Sequence, residues 1–413
     1  MQFNTPQTPD LFTRYMVDGF NENDIISVGT PWLPFFGDPN AEGSQTLFSP
    51  NRNALDIDIM KGNEKYAKMR LRGSGTQNIG EIIKGLRSEQ FTTVSRTYPL
   101  MEDYGSISAA QLDERLFNEN PYMDKTKQAS FRTLARRQYN EIIRRFVRSF
   151  NLLAKQSILE GVQDAIFGTT NSDLQYDFYR DSDLFYTAPI AWDQTNAVIM
   201  ANLDTICERV HQKGKKKPDA YFGAGDTIDA MINGTTFASQ ASNRRFNLTG
   251  IGSSDKVGAN PVSTMPAKYQ KFVDNGWMYR GWIQTPKGYE LHLFTTTDYV
   301  EEDNGDITPM IPDGTGLVCY SQARCDRYFG PDERLPITPQ RQRMYEEFMG
   351  IGIGASLPAN IDNPGALVRP DMFYFDGWPN ELWTNFQLRC QSAPIYATTH
   401  TDAFGVISGL TTP

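Results

Sequence analysis

Three histidines, four cysteines and a few carboxylate pairs are the side chains of this 413-residue sequence whose types invite chemistry. His211, His292 and His400 each stand away from any His or Cys at metal-ligand spacing. No flanking motif marks one of them as the base of a hydrolytic triad. Cys207, Cys319, Cys325 and Cys390 are scattered, and the one close pair, Cys319 and Cys325, matches no zinc signature. They read as unpaired thiols in a reducing cytosol. Glu301-Glu302 and the Asp181/Asp183 pair lie in polar, turn-like stretches and read as solvated surface. The sequence has no phosphate loop, no dinucleotide fingerprint after a strand and no nucleophile elbow. Gly73-Ser74-Gly75 and Gly350-Ile351-Gly352-Ile353-Gly354 read as flexible connection. This inventory leads to no catalytic residue, no cofactor and no metal.

Charge says more. The net charge of −9 argues against a dedicated nucleic-acid binder, whose domain would be basic overall. Two local segments run the other way. Residues 65–99 carry Lys65, Lys68, Arg70, Arg72, Lys84, Arg87 and Arg96 against Glu81 and Glu89, a local +5. Residues 125–155 carry nine basic residues, among them Arg132, Arg136, Arg137, Arg144, Arg145 and Arg148, against Glu141 alone, a local +8. The rest of the chain is strongly acidic. A basic arm on an acidic body finds a complementary surface on another copy, which favours self-association. For the second segment three readings stand: a solvated face, a face toward nucleic acid, or a face paired with a neighbour's acids. Aromatics at 12% tilt weakly toward extensive subunit contacts. No apolar run reaches membrane-spanning length, and the N-terminus lacks the basic start and apolar run of a signal peptide, so a soluble cytoplasmic product is expected.

Those residues need elements to hold them. Prolines 6, 9, 31, 34, 39 and 50 interrupt residues 1–60, which predicts an extended arm without long helix or strand. Its aromatic residues, Trp32, Phe35 and Phe36 among them, predict that the arm lies on another surface. Alternation in Lys68–Arg72 and Thr93–Tyr98 predicts a hairpin with a long glycine-bearing tip, too poor in apolar residues to stand alone. Apolar residues at three- and four-residue steps predict a helix over 121–167, stopped by Gly168. Strand and helix patterns alternate beyond it, with a helix at 194–212, a strand at 220–223 and a hairpin around Pro286-Lys287-Gly288. The whole reads as an α+β chain.

Four blocks in the C-terminal half carry a resemblance. Ile311-Pro312-Asp313-Gly314-Thr315 leads to Ser321-Gln322-Ala323-Arg324 and then Tyr328-Phe329-Gly330. Upstream, Tyr279-Arg280-Gly281 opens a hairpin that ends at Asp298-Tyr299-Val300, and downstream Gln391-Ser392-Ala393-Pro394 precedes Phe404-Gly405-Val406. In order and spacing these blocks resemble the lambda-like major capsid proteins of tailed bacteriophages. The resemblance implies the HK97-type capsid fold: an N-terminal arm (1–60), an extended loop (61–105), a peripheral domain (106–193) with spine helix 121–167, an axial α/β domain (194–365) and a C-terminal return to the peripheral domain (366–413).

It also implies a non-enzymatic function. Copies would form pentamers and hexamers of an icosahedral head around double-stranded DNA, held by non-specific contact, inside a virion assembled in the host bacterial cytoplasm. A scaffolding protein and a portal at one vertex are the implied partners, with a decoration (cement) protein left open and no membrane involved. The basic loop would overlie a neighbour's acidic flank. Pro312, Asp313, Gln322, Ala323, Arg324, Gln391, Ser392, Ala393 and Pro394 would be structural, with Arg324 in an ion pair. Lys84 is the conceivable donor of a loop crosslink, which a lambda-type resemblance argues against. The rival readings are an encapsulin-like nanocompartment shell, another virion part and an uncharacterised cytosolic α/β enzyme.

Overall fold

The computed structural model describes residues 30–38, 43–48, 54–61, 90–108, 111, 127–165, 175–194, 196–233, 265–301, 307–330, 374–379 and 385–411. Its most extended element is α1 (Lys127–Lys155), roughly 44 Å long at 1.5 Å per residue. Ile142, Ile143, Phe146, Val147, Phe150, Leu153 and Ala154 form its buried face. The helix runs into one π-turn, Gln156–Glu160, and Gly161 ends it at φ +74°. The stop is therefore Gly161 rather than Gly168. That glycine takes the left-handed conformation an L side chain resists, and the chain leaves as strand β5 (Val162–Asp164). Residues 121–126, 166 and 167 of the predicted span lie outside the described residues.

β5 pairs with β6 (Gln175–Asp177). The α/β part is built on a six-stranded sheet ordered β7 (Phe185–Thr187), β18 (Phe404–Ser408), β13 (Gly316–Cys319), β8 (Ala220–Gly223), β10 (Glu290–Thr295) and β9 (Met278–Gln284). The residues of β8 and β13 are all buried, as expected of central strands covered on both faces. α2 (Ile199–Gly214) packs on β18, where Ile206 and Val210 lie so close that a Cβ at Gly405 would meet Val210 Cγ2 at 2.6 Å. α3 (Gly225–Asn233) follows β8. The β9–β10 hairpin turns through Pro286-Lys287-Gly288, with Gly288 at φ +86°. Two strands of this sheet come from outside residues 194–365: β7, and β18 from the far C-terminus.

Smaller sheets flank it. β1 (Thr46–Phe48), β14 (Asp326–Phe329) and β17 (Pro394–Ala397) form one. β15 (Tyr374–Pro379), β16 (Asn385–Ser392) and β4 (Met101–Ser108) form another, against α1, and β11 (Tyr299–Glu301) pairs with β12 (Ile307–Pro309).

The predicted arm divides into three structural pieces. Residues 30–38 run as a strap through the core, with Trp32, Leu33, Phe35 and Phe36 at 3% exposure or less. Phe35 meets Phe222, Phe272 and Phe404, and Phe36 meets Tyr396. Asn151 on α1 accepts a hydrogen bond from the Trp32 amide, and Trp277 Nε1 donates to the Pro31 carbonyl. The surface this strap needs is its own chain's core. β1 then pairs in parallel with β14, and β2 (Ala54–Lys61) pairs with β3 (Gln90–Thr97). The eight-residue β2 contradicts the prediction of an arm without long strand, whereas the three-residue β1 does not. The proline spacing is compatible with β2 because no proline falls inside 54–61.

The hairpin's first strand is thus 54–61, while Lys68–Arg72 lies outside the described residues. Its base is anchored: Ile57 and Ile59 are buried with Phe178, Tyr328, Ile395 and Ala397. Part of the aromatic content is internal: among the described residues the fully buried side chains include three Trp, three Tyr and six Phe.

Candidate functional site

The sequence blocks converge on a buried junction between three sheets. The run Pro312-Asp313-Gly314-Thr315 is a turn that delivers the chain into β13: the Thr315 amide donates to the Pro312 carbonyl at 3.1 Å, with Gly314 at φ +68°. Pro312 and Asp313 are exposed on it. Asp226 at the start of α3 accepts from the Gly314 amide (3.2 Å) and the Thr411 hydroxyl (3.0 Å), tying turn, helix and C-terminus together.

After β13 the chain turns through Ser321–Cys325. The Ala323 amide donates to the Tyr320 carbonyl at 3.0 Å, and Ala323 is 3% exposed. Gln322 Oε1 accepts from the Tyr320 hydroxyl at 3.4 Å. Asp219 holds the turn from below, accepting from the Ser321 amide and hydroxyl (2.7 and 2.9 Å) and pairing with Lys268. Arg324 does make an ion pair, Nε to Asp326 Oδ2 at 3.0 Å, and its carbonyl accepts from the His400 amide.

Asp326 is the hub, with no exposed side-chain surface. Besides Arg324 it accepts from the Gln45 amide (2.7 Å), the Thr399 hydroxyl (2.8 Å) and the Tyr328 hydroxyl (3.3 Å). A buried carboxylate is tolerable only when so satisfied. Sequence reading missed it, because nothing in residues 321–330 signals that Gln45 and Thr399 come to the same carboxylate. Gly330 closes the block: its amide donates to the Ala393 carbonyl, and a Cβ there would sit 2.3 Å from the Tyr98 ring. Gln391 donates to Glu102, and hydrogen bonds from Tyr104 and Gln391 hold the Glu102 carboxyl below its ordinary range. Ser392 and Ala393 are buried, and the Pro394 carbonyl accepts from Gln163. These residues form a junction held by hydrogen bonds between elements distant in sequence.

The basic residues divide. Lys65, Lys68, Arg70, Arg72, Lys84 and Arg87 lie outside the described residues. Arg96, at the hairpin base, donates to the Asp177 carbonyl at 3.2 Å and lies over Tyr176. The side chains of Arg132 and Arg136 also lie outside the described residues. Arg137, Arg144, Arg145 and Arg148 are exposed on α1. Arg145 is consumed internally, by Glu141 at 2.7 Å and Asp103 at 3.3 Å.

The residues with chemical potential are occupied structurally. Lys213 bridges Asp181 (2.6 Å) and Asp183 (3.1 Å), so this pair is ion-paired and not merely solvated. His211 contacts the Tyr289 hydroxyl and His400 the Gly214 carbonyl. His292 is buried between Tyr269 and Tyr279, and desolvation holds its imidazole below the ordinary range. The four cysteines are buried free thiols, and burial pushes Cys207, Cys319 and Cys325 up. Among the described residues no group of three His, Cys, Asp or Glu side chains could hold a metal ion. No described helix is long and apolar enough to cross a membrane.

No family model matches the sequence, and no curated protein does. Solved structures do. The chain aligns over 99% of its length with 99% of the protein assigned as the capsid protein of a prophage of E. coli CFT073, at 12% identity and TM-score 0.55. It also aligns with the capsid of Myoviridae phage XM1 (87% of each chain, 10% identity, TM-score 0.39). A third match is an encapsulin complex from Synechococcus elongatus PCC 7942 (88% of this chain, 84% of that one, 9% identity, TM-score 0.36). The first likeness extends from end to end, and the architecture is the HK97-type capsid fold.

Proposed function

We propose that this chain is a major capsid protein of a tailed bacteriophage, assembling as pentamers and hexamers into an icosahedral head around double-stranded DNA. The observation that carries the reading is the end-to-end likeness of fold to the prophage capsid protein, at TM-score 0.55 over 99% of both chains. The C-terminal sequence blocks support it independently, because they are a property of residue order and owe nothing to the likeness of fold. In this reading the chain performs no chemistry, and its motif residues are structural.

The contacts between copies are heterologous, so that a repeated rotation closes each ring. The basic loop, with Lys65, Lys68, Arg70, Arg72, Lys84 and Arg87, reaches from the anchored hairpin onto the acidic surface of an adjacent copy. A scaffolding protein and a portal complete assembly in the host cytoplasm, and the extended loop, peripheral and axial divisions follow the order read from the sequence.

Electron microscopy of the purified full-length protein tests this. Closed shells or ring-shaped capsomers are the expected result, and a discrete small oligomer overturns it. Particles recovered from infected cells are expected to hold DNA. Protein cargo in place of DNA would move the reading to a nanocompartment shell.

A further inference from the structure

On the exposed side of α1, Arg137, Arg144 and Arg148 are spaced seven and eleven residues from the first. At 3.6 residues per turn they fall within about 40° of one another, along a stripe about 16 Å long. All three are exposed, and none is ion-paired to a described residue. The acid within the stripe, Glu141, is neutralised by Arg145, which also takes Asp103 from β4. Three positive charges therefore remain on this face of an otherwise acidic chain.

The composition of the stripe says which partner fits. A protein–protein contact has a desolvated centre rich in aromatic and apolar groups. The exposed large hydrophobic residues among those described are Leu47, Tyr104, Tyr179, Phe185, Ile190, Val198, Met278 and Tyr299, and none lies on α1. The stripe has no such centre. It offers planar, permanently charged guanidinium groups, which suit phosphate oxygens and bind them without regard to base sequence.

We infer that the Arg137/Arg144/Arg148 stripe of α1 binds the phosphate backbone of double-stranded nucleic acid, non-specifically and by counterion release. This rests on the capsid reading, and it makes α1 a lining of the shell's inner surface.

The test is fluorescence anisotropy of the full-length protein, kept below its assembly concentration, with a duplex of about 30 base pairs at about 50–200 mM salt. Each phosphate contact contributes about 0.9 to the slope of log K against log salt. Arg137→Gln/Arg144→Gln/Arg148→Gln should lower the slope by about 2.7, so the wild type loses roughly 40-fold more affinity than the variant across that range. Arg145→Gln should leave the slope in place, and the triple Lys variant should keep it. Far-ultraviolet circular dichroism establishes that each variant is folded.

A wild type that binds no duplex at the lowest salt, or an unchanged slope in the triple Gln variant, overturns the inference. So does a folded triple variant that no longer forms DNA-free shells, since the stripe would then be a subunit contact. Failure of the wild type to form shells would sink the capsid reading instead, and leaves the duplex titration readable by itself.

Discussion

Replacing Asp326 by alanine removes an acceptor that four donors share: the Gln45 amide, the Thr399 and Tyr328 hydroxyls and Arg324 Nε. Thr399 and Tyr328 are 3% and 5% exposed, so their hydroxyls have little access to water once the carboxylate is gone. A hydrogen bond to a charged acceptor is worth about 1.5–3 kcal/mol, and orphaned buried donors cost comparably. Counting the two shortest bonds at the low end, and the partly screened arginine at about 1 kcal/mol, Asp326→Ala should cost about 4 kcal/mol. Arg324 is different, because its side chain is 31% exposed and water can replace the lost partner. Arg324→Ala should cost about 1 kcal/mol. The double variant should resemble Asp326→Ala, leaving a coupling of about 1 kcal/mol. Urea unfolding followed by tryptophan fluorescence measures all three, compared at constant slope against denaturant. An Asp326→Ala cost below about 1 kcal/mol, or an arginine variant as damaging as the aspartate variant, refutes the hub.

Three further outcomes are expected. Phe35→Ala, which empties a 2%-exposed site between Phe222, Phe272 and Phe404, should cost about 3–5 kcal/mol in the same unfolding assay. A loss under about 1 kcal/mol would mean the strap is not part of the core. Gly330→Ala places a methyl 2.3 Å from the Tyr98 ring and should cost about 1–3 kcal/mol, less than additively with Tyr98→Ala. Strict additivity would show that the ring is free to move away. Burial holds the His292 imidazole below its ordinary 6.5, with the Tyr279 hydroxyl, Glu290, Lys268 and Asp219 as its polar surroundings. The unfolded chain therefore binds a proton first as pH falls, so stability present above about 6.5 is lost from there down through the folded-state value. His292→Gln should flatten that acid-side loss, and a pH profile identical to the wild type's would contradict it.

Local and non-local information separate along this chain. α1 is legible because its apolar residues repeat at the helical period, but the period runs past the end of the helix. Val162 continues it, while Gly161 has already broken the backbone at φ +74°. The β9–β10 hairpin is legible because its turn chemistry is local. The strand Ala54–Lys61 is not, since alternation alone does not say whether it or Lys68–Arg72 pairs with Thr93–Thr97.

By itself the sequence determined the amphipathic helix, the short hairpin, the lack of catalytic motifs and the four spaced blocks, all of them properties of nearby residues. The tertiary structure alone decided that Trp32–Phe36 is core, that β18 joins β13 and β7 within the main sheet, and that Gln45, Arg324 and Thr399 meet on one carboxylate. Most of those contacts join residues tens to hundreds of positions apart. Periodicity tells a side chain which way to face, but only packing selects what it faces, because that choice depends on the shape and polar groups of the whole folded chain.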